Sequence, residues 1–219
     1  MARDQHRLDA LADGVCRMGD VVVTRLRKAI TALERDDPAL AARAVDRDGE
    51  VNALYADLEA DCIELFALDQ PVAGDLRFIA ASFKIITDLE RVADLTTNLG
   101  GYWRGATDDL LPRSDLAAVG RVGAGMVEDA MAAFAARDAT ACTAVAERDD
   151  DLDVMCEQAG RRVIRDLAGR APGETIDQLL AAVDRTLLAI RDLERIGDHA
   201  VNIAARTRYM IDGDASLIY

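Results

Sequence analysis

Lysine is nearly missing from this 219-residue chain: Lys28 and Lys84 stand against 24 arginines. Aromatic residues make up 4%, and the chain has two histidines, four prolines and four cysteines. Each scarcity excludes something. Cys16, Cys62, Cys142 and Cys156 lie far apart with no C-x-x-C pair, so a zinc finger or a disulfide framework is excluded and small buried thiols are expected. No run approaches the roughly 20 apolar residues that a membrane span needs. The start, Met1 to His6, has no apolar stretch behind a basic segment, so no signal peptide and no membrane insertion are expected, and the expected compartment is the cytoplasm. Basic charge is short overall, with 26 Lys+Arg against 40 Asp+Glu and a net charge of −14. Such a chain is repelled by phosphate backbones, which argues against direct nucleic-acid binding. Acid-rich, lysine-poor surfaces suit high intracellular salt, and GC-rich coding produces the same arginine and alanine bias.

Hydrophobic residues make up 51% of the chain, enough for a sizeable core. They recur at helical spacing, and no stretch alternates as a strand does. Pro38, Pro71, Pro112 and Pro172 punctuate the pattern. Six helices are expected, at roughly 5–35, 38–68, 73–103, 114–137, 139–169 and 174–210. In the second, Val51, Leu54, Tyr55, Leu58, Ile63, Leu65 and Phe66 form the apolar face. The break from Gly100-Gly101 to Pro112 nearly halves the chain.

The halves repeat one another. Residues 83–100 align with 187–204 at a shift of 104, with identities at Ile86/Ile190, Asp88/Asp192, Leu89/Leu193, Glu90/Glu194, Arg91/Arg195, Asp94/Asp198 and Asn98/Asn202. A second match, shifted by 101, pairs Arg47–Asn52 with Arg148–Asp153. Each repeat supplies three long helices, so the expected fold is all-α: two tandem antiparallel three-helix bundles, residues 1–108 and 109–219.

On a helix, Glu90, Asp94 and Asn98 lie within about 80° and span roughly 12 Å; Glu194, Asp198 and Asn202 do the same. The apolar seams Ile85, Leu89, Val92, Leu99 and Ala189, Leu193, Ile196, Ile203 lie elsewhere on the same helices. One such run reads most simply as a solvated face with Arg91 beside its acids. Repetition shifts the reading, because carboxylates four residues apart repel, and the same repulsion is kept in both halves. A hard cation explains it. Asp48 and Asn52 on the second helix, and Asp149 and Asp153 on the fifth, supply further oxygens. Oxygen ligands without Cys suit Mg²⁺, Mn²⁺ or oxygen-bound iron better than a structural zinc. His199, where the first half has Leu95, is either an extra ligand or a surface or dimer contact.

These residues resemble the PhoU family of phosphate-uptake regulators over nearly the whole chain. The resemblance rests on Gln70-Pro71-Val72-Ala73-Gly74-Asp75-Leu76-Arg77, on the two L-E-R-x-x-D-x-x-x-N runs from Leu89 and Leu193, and on Asp48–Asn52 and Asp149–Asp153. It implies paired three-helix bundles, each bearing a multinuclear iron or zinc cluster or another divalent metal. Asp48, Asn52, Glu90 and Asp94 would serve one site, and Asp149, Asp153, Glu194 and Asp198 the other. Asn52 stands where a carboxylate is expected, so the first site has one negative charge fewer and holds metal more weakly. The resemblance further implies a non-enzymatic negative regulator of phosphate uptake. It would act on the transporter's ATPase subunit and on a phosphate-sensing histidine kinase, as a homodimer. Two other readings are a carboxylate-bridged di-iron oxidase or ferroxidase and a plain acidic scaffold without metal. The oxidase needs a Glu three residues before a ligating His, and neither histidine has one.

Overall fold

The computed structural model describes residues 2–45, 48–68, 73–102, 112–169 and 175–218. Among them lie eight helices: α1 (Ala2–Arg35), α2 (Pro38–Val45), α3 (Asp48–Leu68), α4 (Ala73–Tyr102), α5 (Arg113–Ala136), α6 (Ala139–Glu147), α7 (Asp149–Gly169) and α8 (Ile176–Asp212). No strand occurs among the described residues. The architecture is the expected all-α one, with the second and fifth expected helices each divided in two. The α2–α3 division falls at residues 46–47, outside the described residues. The α6–α7 division is one tight turn at Arg148, which keeps right-handed helical angles while its N–H bonds back to Val145 O at 3.2 Å. The 108/109 boundary and Gln70-Pro71-Val72 also lie outside the described residues.

Local chemistry sets the helix ends, and sets them twice. Asp36 ends α1 in the left-handed region, and Asp37 N–H bonds back to Ala32 O at 2.9 Å. The Asp37 carboxylate then accepts from Ala39 and Leu40 N–H at 3.0 and 2.9 Å, capping α2. A hundred and one residues later, Arg137 is left-handed, Asp138 N–H reaches Ala133 O at 3.0 Å, and the Asp138 carboxylate caps α6 through Thr140 and Ala141. Thr175 and Gln178 form a reciprocal capping box at the start of α8. Gly213, with φ of 76°, closes its far end.

The two bundles share one core. The most extensive helix contact joins α4 to α8, across the halves, followed by α5 with α8, α1 with α4, and α1 with α5. These four helices form a central layer. α3 lies on α4 and α1, while α7 lies chiefly on α8. The seam residues Ile85, Leu89, Val92 and Leu99 are buried with Ala189, Leu193, Ile196 and Ile203 in a single hydrophobic cluster spanning both halves. Cys62, Cys142 and Cys156 are buried, Cys16 is half-buried, and all four are free thiols. The expected apolar face of α3 needs correction. Val51, Leu58, Cys62 and Leu65 are buried, whereas Ile63 and Phe66 are exposed, because the buried four recur at spacings of seven, four and three on one helix face and Ile63 and Phe66 each follow a buried residue by one position, about 100° further round.

Candidate metal centre

In the second half, α7 and α8 bring all four expected carboxylates into one electrostatic neighbourhood. α8 reaches α7 closely because residue 197 is glycine: a Cβ there would sit 2.3 Å from Leu152 Cδ2 and 3.1 Å from Asp149 Oδ1. Asp149 is the first residue of α7, where the helix dipole favours an anion. Its Oδ1 is sealed from solvent without a hydrogen-bond partner. Burial, then repulsion from Asp153, Asp198, Asp150 and Glu194, pushes its carboxyl up to about 6. Glu194 is raised by burial and then by Asp153 and Asp198. Asp198 is raised by burial and Asp153, against a lowering influence from His199 and Arg195. Cys156, buried below them, hydrogen-bonds toward Ile190 O at 3.9 Å, and burial followed by the same acids pushes its thiol up to about 12. It stays protonated and unreactive at neutral pH.

The first half is built differently. Asp48 begins α3, and its side chain lies outside the described residues. Asn52 is exposed and brings an amide. Glu90 and Asp94 flank Arg91, whose Nε is 3.7 Å from Glu90 Oε2 and whose Nη1 is 4.0 Å from Asp94 Oδ2. In the second half the corresponding Arg195 points instead to the buried Asp192, with Nη1 3.8 Å from its Oδ1.

Between the acidic faces lie two polar contacts that sequence reasoning did not assign. His199 Nδ1 is 2.9 Å from Asp88 Oδ1, both side chains mostly buried. The Tyr102 hydroxyl donates to Asp192 Oδ2 at 2.8 Å. Both join α4 to α8. His199 therefore faces the seam between the halves rather than open solvent. The signal was the identity of Asp88 and Asp192 across the repeat, which singled out the position without showing what it meets.

Among the described residues, no three His, Cys, Asp or Glu side chains form a ready-made cage for a metal ion. The second-half carboxylates are close enough to repel but have not converged. They nonetheless suit a divalent cation. All offer oxygen ligands, Asp149 Oδ1 is an unpartnered acceptor, and Asp153, Glu194 and Asp198 keep part of their surface in solvent. The first-half set, with an amide and an internal guanidinium, does not suit one.

Comparison with known proteins agrees with this architecture. The PhoU domain family matches twice, over residues 15–102 and 116–207. A Burkholderia protein described as a phosphate-specific transport system accessory protein PhoU homolog is 32% identical over 222 residues, covering 96% of this chain and 92% of its own. A Caulobacter vibrioides protein of the same description is 30% identical, with 95% and 90% covered. The crystal structure of PhoU from Pseudomonas aeruginosa superposes with a TM-score of 0.88 at 27% identity, covering 96% of this chain and 99% of that one. That of the phosphate transport system regulatory protein PhoU from Streptococcus pneumoniae gives 0.87 at 24% identity, covering 97% and 98%, and shares the fold. With the repeated helices, the repeated acidic runs and these matches all coinciding, the chain belongs to the PhoU family.

Proposed function

We propose that this chain is a metal-binding, non-catalytic accessory regulator that restrains phosphate uptake by contacting the ATPase subunit of a phosphate transporter and, where one is present, a phosphate-sensing histidine kinase. The observation that carries this reading is similarity along almost the whole length of both partners to proteins described as phosphate-transport accessory proteins. A homodimer working in the cytoplasm is part of the proposal. In its support, no helix among the described residues is long and apolar enough to cross a membrane. Apolar side chains also stay exposed at corresponding places in the two halves, Ile63 with Ile164 and Leu76 with Leu180, and such surface suits protein contact.

Asp149, Asp153, Glu194 and Asp198 are the residues that would hold the divalent metal, be it iron, zinc, manganese or magnesium. The bound cation would offset their charge and offer an anion such as phosphate a binding position on an otherwise repulsive face. The residues themselves contribute placement: Asp149 is positioned by the α7 start and by the close approach of α8 at Gly197, and Asp153, Glu194 and Asp198 would complete the set from α7 and α8. Labelled phosphate uptake in phosphate-replete cells tests the reading. Deleting the chain is expected to raise uptake. Restoring it as Glu194→Ala with Asp198→Ala is expected to lower bound metal and leave uptake high, with helicity unchanged by circular dichroism. Uptake that ignores the deletion would refute the regulatory role.

A further inference from the structure

Resting on that reading, we infer that the cation is confined to the second half of the chain, and that in the first half Arg91 stands in the cation's place. The repeat puts an arginine between the two acids of each α4 and α8 row, and the two arginines point to different partners. Arg91 sits 3.7 Å from Glu90 and 4.0 Å from Asp94, inside the row. Arg195 points out of its row to Asp192, 3.8 Å away.

The cross-half contacts account for the difference. Asp88, the counterpart of Asp192, is engaged by His199 at 2.9 Å. The first half has Leu95 where the second has His199, so no histidine reaches back to Asp192. There Tyr102 takes one carboxylate oxygen and Arg195 lies beside the other. The buried aspartate thus takes Arg195 as its ion-pair partner, whereas Asp88, already engaged by His199, leaves Arg91 to its row. The difference between Leu95 and His199 thus goes with a different placement of the repeated arginine in the two halves.

Two further observations point the same way. α7 contributes Asp153 where α3 contributes Asn52, and the affinity of oxygen sites for hard cations follows the number of charged ligands. Gly197 lets α8 approach Leu152 and Asp149 Oδ1 more closely than a side chain would allow, whereas the corresponding position in the first half is Ala93. An anionic ligand that needs the cation would therefore approach this chain from the α7–α8 side.

The test is a Mn²⁺ titration of the metal-stripped full chain, reading free Mn²⁺ by electron paramagnetic resonance, with circular dichroism confirming each fold. Asp153→Asn is expected to weaken binding at least about tenfold and Asp94→Asn to leave it within about twofold. Arg91→Gln combined with Asn52→Asp is expected to create additional binding. Equal weakening by Asp153→Asn and Asp94→Asn would overturn the confinement while leaving metal binding intact. No Mn²⁺ uptake at all by the unaltered chain would overturn the metal reading beneath it as well.

Discussion

Asp149 shows how much one side chain can carry. Its carboxyl protonates near 3.8 when unfolded and near 6 in the fold, with burial the larger cause and neighbouring acids the rest. Between those values the folded chain binds a proton that the unfolded chain does not. Metal-free protein therefore loses stability as pH rises from about 4 through 6, and stays without it above. Asp149→Asn removes the ionisation. Thermal unfolding without metal is expected to show the variant more stable than the unaltered chain at pH 8, by on the order of 1 kcal/mol once solvent screening is discounted, and no gain at pH 4. A variant less stable at pH 8 would contradict a strained anion there. The residue was legible in the sequence as an acid on a repeated motif, but its strain was not, because that depends on Gly197 and on the sealed position of Oδ1.

At the scale of elements, the seam between α4 and α8 governs the molecule. Its apolar residues were readable from helical spacing, since Ile85, Leu89, Val92 and their counterparts all fall in the core. Its polar residues were not. Which partner Asp88 or Asp192 meets depends on how two helices a hundred residues apart lie against each other, and no periodicity encodes that. Ile63 and Phe66 mislead for a related reason: α3 is apolar on more faces than it buries. The hydroxyl of Tyr102 meets a buried aspartate, and burial, followed by Asp192, pushes that phenol up to about 12. Tyr102→Phe leaves an oxygen of Asp192 without its donor, at an expected loss of about 1–3 kcal/mol in urea unfolding. With Asp192→Asn already present, the loss is expected to fall well below that, because the two are one interaction. Fully additive losses would show that the contact does not couple the halves.

For the whole molecule, the repeat made the most readable prediction. Seven identities at one shift specify two corresponding bundles. What the repeat concealed was difference. Matching runs suggested two matching sites, whereas Leu95 against His199, Asn52 against Asp153 and Ala93 against Gly197 make the faces unlike. The surplus of acid likewise divides into two groups, with a few carboxylates gathered on one face and the others spread over the surface as solvating charge. On the proposed reading the α7–α8 carboxylates would hold the metal, and the apolar side chains exposed in both halves would serve contact with the transport machinery. Affinity capture of the chain from its own cells, at high and at low phosphate, tests that most directly. The account predicts recovery of the phosphate transporter's ATPase subunit, with an amount that changes with phosphate; a chain that never brings the ATPase down at either level would contradict it.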